Sequence, residues 1–392
     1  MIEYIKLAII FLLRILLKLF YIFPICENRI VFISFYGKQY SCNPKYLFEY
    51  IYQNYGSLFQ YVWCLNSREL FPDKYKSVKL VKYLSLGHIW YALTSKYYFD
   101  NQFFVPFFDK KKEQLFVNTW HGGGAYKKLA VNLKFYSKKR IQCMTGLLKI
   151  RAKQTSHVIS SCKSFTDSIA MEWGMPKDYF LPIGMPRNDI FFSINNEKRN
   201  KILEQFEIDK KLKIVLYAPT FRGNQKNPED TDFTLDIKML LNVAGTKFNN
   251  DFILLYRVHS LFVFKRIPDG IINASQYPDM QELLCAADIL ITDYSSCIWD
   301  FSFTYNPCFI YAPDVKKYQE EQGFYTPIEE WPFPLAETNE QLVENIINFD
   351  EEKYEYAVKK HHADLGSYEI GTACEQFCRA VFSINEQSIN NG

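Results

Sequence analysis

The chain has 392 residues, 48% hydrophobic and 23% charged, which excludes extended disorder and a small disulfide scaffold. A net charge of +3, from 46 Lys plus Arg against 43 Asp plus Glu, is too balanced for a nucleic-acid partner. The ten cysteines form no Cys-x-x-Cys, so they read as reduced thiols of a cytosolic compartment.

The first element, Ile5 to Pro24, is strongly apolar but carries Lys6, Arg14 and Lys18. At 100° per residue these fall within one sector of about 120°, with Leu, Ile and Phe opposite. This is the pattern of a helix lying in a membrane surface, and residues 1–28 are assigned to it. No small-residue cleavage site marks a signal peptide, and the charges weigh against a spanning helix. Arg29 to Phe35 reads as a buried strand, Pro44 to Tyr55 as a helix and Phe59 to Leu65 as a strand. His88 to Thr94 is helical, and Tyr97 to Asn101 and Leu115 to Thr119 are strands. No acidic residue occurs between Glu113 and Asp167, and residues 134–153 form a second candidate contact with anionic lipid, or a solvated basic face. Val158 to Ser161 is a strand and Ser164 to Trp173 a helix. Beyond a charged, Asn-rich stretch near Phe191 to Lys211, strand–helix alternation resumes. Lys213–Ala218, Phe252–Val258, Ile289–Thr292 and Cys308–Tyr311 are strands, with helices at Leu235–Asn242, Met280–Ala287 and from Glu340 onward. Continuous apolar strands alternating with helices imply parallel sheets covered on both faces. The expected architecture is α/β, with two Rossmann-like domains, 29–195 and 196–392, facing a cleft.

Open α/β sheets bind ligands beyond the carboxyl ends of their strands, where the polar clusters of this chain fall. Thr119-Trp120-His121-Gly122-Gly123-Gly124 follows a strand; His121 suits a general base, and the glycines permit close approach of a ligand. Thr292-Asp293-Tyr294-Ser295-Ser296 joins a strand to a helix. The hydroxyls of Ser295 and Ser296 and the first-turn N–H groups either bind phosphate or simply cap the helix. Arg257 and His259 alternate on a strand end, so they point the same way. Arg222 and Arg187 are further candidates, with solvated surface as the plainer reading of each. There is no His-Glu-x-x-His, and Asp230-Thr231-Asp232 reads as a solvated turn, so neither a metal nor a cofactor is expected.

In order along the chain, NTWHGGGAYKKL (118–129), GMPRND (184–189), YAPTFR (217–222), RVH (257–259), ADILITDYSSCIWDF (287–301) and GFY (323–325) resemble the CDP-glycerol glycerophosphotransferase family of teichoic acid and capsule synthesis. SFYGKQYSCNPKYLFEYI (34–51) resembles its N-terminal pattern, and the likeness covers about residues 30 to 370. The resemblance implies a GT-B fold, an enzyme peripheral to the cytoplasmic face of the cell membrane, and transfer of glycerol phosphate from CDP-glycerol to an acceptor hydroxyl with release of CMP. The acceptor it implies is a growing polymer or a lipid-linked glycan. It maps the catalytic histidines onto His121 and His259. It places Arg222, Arg257, Thr292, Asp293, Ser295 and Ser296 at the donor, and Trp120, Gly122, Gly123 and Gly124 near the acceptor. The sequence departs from the family's usual Gly-Thr-Pro after the histidine, from Pro after Arg-x-His (Ser260 here), and from the acidic and aromatic residues after Gly-Phe-Tyr (Thr326-Pro327 here). A usual Asp-Gly-Asn appears as Asp364-Leu365-Gly366. These departures leave a CDP-ribitol donor, a nucleotide-sugar glycosyltransferase and an inactive membrane-bound polymer-binding scaffold as rival readings.

Overall fold

A computed structural model describes residues 2–128, 137–193, 196–220, 223–224, 227–228, 234–258 and 271–382. The chain divides into two compact units. Among the described residues the first holds those up to Gly122, those from Ser137 to Asp189 and those from Tyr368 onward; the second holds the rest.

The first unit is built on seven parallel strands: β1 (Cys26–Ile33), β2 (Gln60–Cys64), β3 (Lys79–Val81), β4 (Ser95–Asp100), β5 (Leu115–Asn118), β6 (His157–Ser160) and β7 (Phe180–Pro182). Their spatial order is β3-β2-β1-β4-β5-β6-β7. It reverses between β1 and β4, the doubly wound arrangement whose switch point opens a crevice at the strand carboxyl ends. Residues Ile30 to Ile33 are wholly buried because helices cover both faces of the sheet. On one face, Phe32 and Trp63, stacked at 5.6 Å, meet Phe48 of α2 (Cys42–Tyr55), and Phe99 packs on Phe32. On the other, Val31, Ile33, Tyr98, Phe104 and Phe116 form a second layer. Each such side chain contributes about 1.5–3 kcal/mol by leaving water.

The N-terminal helix α1 (Ile2–Leu17) continues into a 3-10 turn, Lys18–Ile22. The basic sector turns partly inward, at Arg14. The Arg14 guanidinium donates to the Pro106 and Phe108 carbonyls, each at 3.0 Å, and pairs with Asp109. Ile5, Ile9, Phe11, Leu12, Ile15, Leu16 and Leu19 are at least half exposed. No described helix is long and apolar enough to cross a membrane. After α3 (Leu86–Thr94), the basic stretch forms α4 (Lys138–Gln154), which lies beside α1: Tyr4 donates to Gln142, and Leu7 lies over Gly146. Residues 134–136 lie outside the described residues. Next comes α5 (Lys163–Trp173).

The second unit repeats the plan. After α6 (Asn196–Gln205) come β8 (Lys213–Ala218), a ribbon of β9 (Gly223–Asn224) and β10 (Asn227–Pro228), then α7 (Ile237–Phe248), β11 (Phe252–Tyr256) and β12 (Ile271–Asn273). They are followed by α8 (Met280–Ala286), β13 (Ile289–Thr292), α9 (Cys297–Ser302), β14 (Cys308–Tyr311), α10 (Val315–Glu321), β15 (Leu335–Ala336), α11 (Asn339–Ile347) and α12 (Glu351–Leu365). The order β12-β11-β8-β13-β14-β15 is the same doubly wound order, with its switch point between β8 and β13. Arg222 and Asp230-Thr231-Asp232 lie outside the described residues, as do residues 194–195 at the expected domain boundary.

The last helix, α13 (Ala373–Phe382), returns to the first unit, whereas the sequence reading assigned everything after 196 to the second. Two interactions bring it back. Asp189 accepts from the Ala373 and Cys374 N–H groups at 2.8 and 2.9 Å, and Phe377 and Phe382 meet Phe99 and Tyr97. The chain also crosses to the second unit between Gly122 and Gly123.

Candidate active site

The first unit carries its polar residues where β1, β4 and β5 end. Four non-glycine residues there hold positive φ: Phe35 (46°), Tyr36 (58°), Cys42 (61°) and Trp120 (51°). Left-handed backbone of this kind costs on the order of 1–3 kcal/mol per residue and persists only where neighbours over-determine it. Here the neighbours are asparagines. Asn101 accepts from the Phe35 N–H at 2.8 Å, and Asn118 accepts from the Trp120 N–H at 2.9 Å.

His121 follows directly. Its Nδ1 lies 2.7 Å from the Asn101 carbonyl oxygen. A carbonyl oxygen can only accept, so Nδ1 carries the proton and the basic lone pair is on Nε2. The side-chain amide of Gln102 is farther from Nδ1, at 3.4 Å. Phe35 and Trp120 flank the half-buried ring, with centroids 5.7 and 4.4 Å away. The other described histidines are engaged elsewhere. His88 accepts from the Leu84 N–H and meets the Tyr98 hydroxyl, and burial pushes its pKa down to about 4. His361 and His362 contact Tyr126 and Ser302, and burial lowers both to about 4. His157 opens β6, at the amino end of that strand, whereas His121 follows the carboxyl end of neighbouring β5. His259 lies outside the described residues.

Two buried side chains that sequence reasoning did not place in this role hold the His121 loop. Asn43, at the start of α2, donates from Nδ2 to the Thr119 and Trp120 carbonyls at 2.8 and 3.0 Å, and its Oδ1 accepts from the Arg187 N–H at 3.1 Å. Arg187 is neither solvated nor in reach of a ligand by exposure. It is 3% exposed, and Nη1 donates to the His121 carbonyl at 2.7 Å. The rest of GMPRND anchors the C-terminal segment. Glu369 accepts from the Met185 N–H and Asn188, and at Gly184 (φ +82°) a Cβ would sit 2.7 Å from the Glu369 carboxylate. The asparagine had no independent signal: its role is visible only once β5 and α2 are adjacent.

Gly123 and Gly124 pack closely within the second unit. A Cβ on Gly123 would lie 2.0 Å from Trp299, and Gly124 (φ +66°) faces Tyr126. Gly122, the last residue of the first unit, is half-buried. From there the chain runs beside Gly-Phe-Tyr: Lys127 bridges Phe324, and the Tyr325 N–H donates to the Tyr126 carbonyl at 2.7 Å.

At the second unit's switch point the donor-side candidates separate into struts and exposed groups. Thr292 is fully buried and donates to the Ala218 carbonyl at 2.7 Å, so it cannot touch a ligand. Asp293 is 1% exposed and accepts from the Thr220 N–H, tying the end of β8 to the end of β13. These two position the loop. Ser295 and Ser296 are half-buried, and Ser296 stands at the N-cap of α9 with no side-chain cap hydrogen bond, so simple capping does not account for it. The Ser295 hydroxyl is 3.4 Å from the Cys297 N–H. The Ile298 and Trp299 N–H groups donate to the Ser295 and Ser296 carbonyls, and α9 has only six residues, so the hydroxyls matter more here than a helix dipole. Arg257 follows β11 with Nη1 buried and without a hydrogen-bond partner among the described residues; burial lowers its pKa and Asp279 opposes that. No three described His, Cys, Asp or Glu residues are grouped to hold a metal.

Residues 15–383 match the family model described as CDP-Glycerol:Poly(glycerophosphate) glycerophosphotransferase. The chain is 33% identical over 339 residues to a teichoic acid poly(glycerol phosphate) polymerase of Bacillus spizizenii, covering 82% of this chain and 84% of that one. It is 29% identical over 381 residues to the protein of the same description from Bacillus subtilis, covering 92% of this chain but about half, 49%, of the relative. Among solved structures, an H-to-N variant of the wall teichoic acid polymerase TagF superposes with a TM-score of 0.78 at 25% identity, over 92% of this chain and 89% of that one. The chain therefore belongs to the CDP-glycerol:poly(glycerophosphate) glycerophosphotransferase family.

Proposed function

We propose that this chain transfers glycerol phosphate from CDP-glycerol to a hydroxyl of a growing or membrane-linked teichoic acid, releasing CMP. The observation that carries the chemistry is the Nδ1 contact of His121 with the Asn101 carbonyl, which leaves Nε2 as the base. Nε2 takes the proton of the acceptor hydroxyl. That oxygen attacks the glycerol-bearing phosphorus, and the bond from this phosphorus to the CMP oxygen breaks. Charge on the departing CMP is met by the Ser295 and Ser296 hydroxyls and Arg257, with Arg222 and His259 assigned to the same donor side. Such transfer is mostly positioning and electrostatics. The repeated strand order supports a GT-B arrangement, with acceptor residues from the first unit and donor residues from the second. Glycerol is favoured over ribitol because the two relatives named above are glycerol phosphate polymerases.

Ser295→Ala combined with Ser296→Ala tests the donor assignment. By calorimetry the Kd for CDP-glycerol is expected to rise about tenfold or more, as two hydrogen bonds to charged phosphate are lost. An unchanged Kd removes both serines from the donor site.

We also propose that the protein is peripheral to the cytoplasmic face of the membrane. The exposed row from Ile5 to Leu19 enters the lipid, and Lys138, Lys139, Arg140, Lys149 and Lys153 of neighbouring α4, all exposed, face anionic headgroups. Leu12→Glu with Leu16→Glu is expected to cut co-sedimentation with anionic vesicles about tenfold or more, since each leucine brings about 1.5–3 kcal/mol of apolar burial. Wild-type sedimentation by this variant would contradict the assignment.

A further inference from the structure

Among the described residues Arg151 is a cation without a counter-ion. It lies in the last turn of α4, half-buried, with its guanidinium 4.6 Å from the centroid of the Phe103 ring. Its Nε is buried and has no hydrogen-bond partner among the described residues. Burial pushes its pKa down, and Tyr36 and Tyr83, whose rings lie 6.1 Å apart, oppose that. Asp100, a buried carboxyl, is engaged with the Gln102 N–H. Complementing the C-terminal end of α4 needs no buried charge, because Lys153 in the same turn does so from the surface. Burying a guanidinium without an anion is unfavourable, so a purely structural role leaves the arrangement unexplained.

The position of Arg151 supplies a role. Phe103, under its guanidinium, contacts Trp120 at 5.8 Å, and Trp120 contacts His121 at 4.4 Å. On the other side Phe35, next to the strained Tyr36, contacts His121 at 5.7 Å. The cation and the base are thus joined through one aromatic wall of the first unit. We propose that Arg151 is the anion-binding group of a subsite that takes the phosphodiester adjoining the acceptor's reactive hydroxyl. A planar guanidinium fork matches the non-bridging oxygens of a phosphodiester. The subsite deepens the proposed transfer reaction and rests on it for the identity of the acceptor. It selects an acceptor that already carries phosphate over an unphosphorylated alcohol.

The test uses the full chain, a short synthetic glycerol phosphate oligomer and, separately, CDP-glycerol, titrated by calorimetry into wild type and Arg151→Met. Methionine keeps an unbranched stem over Phe103 and removes the charge. The oligomer Kd is expected to rise about tenfold or more, the loss of a charge-assisted phosphate contact, with CDP-glycerol affinity and Tm maintained. An unchanged oligomer Kd, no oligomer binding by wild type, or a loss confined to CDP-glycerol overturns the subsite. Should Arg151→Met fail to fold, Arg151→Lys decides: it keeps the charge but not the fork, and an oligomer Kd identical to wild type contradicts the proposal. If wild type binds the oligomer through Arg151 yet releases no CMP from CDP-glycerol, the transfer reading falls and the subsite stands.

Discussion

Replacing His121 with alanine is expected to lower kcat by about 10²-fold or more, the low end of general-base catalysis. The Kd for CDP-glycerol should stay at its wild-type value, because the ring is held within the first unit by the Asn101 carbonyl and flanking aromatic rings. Stability should change little, since the side chain is only half-buried. Steady-state CMP release and donor calorimetry on the same preparation separate the two effects. A kcat within a few-fold of wild type would remove His121 as the base, whatever the fate of the family assignment.

Asn43→Ala should be the most damaging change outside the reacting groups. It strands the carbonyls of Thr119 and Trp120 and the N–H of Arg187 in a site that is fully buried. Each unsatisfied group costs about 1–3 kcal/mol, so Tm should fall by several degrees at least. Activity should fall further than stability accounts for, because the same bonds hold the loop that carries His121. Asn43→Asp is no rescue: a carboxylate can accept from Arg187 but cannot donate to two carbonyls. Thermal melts and kcat measured well below Tm check both parts; an alanine variant with wild-type Tm and kcat contradicts the positioning role.

The architecture was legible where the signal is local. Lys213–Ala218, Ile289–Thr292 and Cys308–Tyr311 are strands with the bounds expected from their apolar runs. Short edge strands such as Lys79–Val81 and Leu335–Ala336 were not, because three or two residues give no periodicity. The return of α13 to the first unit depends on Asp189 and Phe99, residues far away in sequence. At the site, strand ends flagged His121, Ser295 and Ser296, but the same rule also flagged Thr292 and Asp293. Only burial and hydrogen bonding show that these two are struts. The glycines illustrate a different limit: the residue type announces close approach, but not that the approaching group is Trp299. Arg187 and Arg151 look alike in sequence as basic residues in polar stretches, yet one is bonded to the His121 carbonyl and the other faces an aromatic ring.

The bond that breaks is the central claim, and CDP-glycerol labelled at the glycerol-bearing phosphorus reads it directly. After incubation with the protein and a membrane-derived acceptor, the label should appear in the acceptor, and the nucleotide released should be unlabelled CMP. Recovery of the label in free CDP would mean that a carbon–oxygen bond broke instead, and would contradict the account.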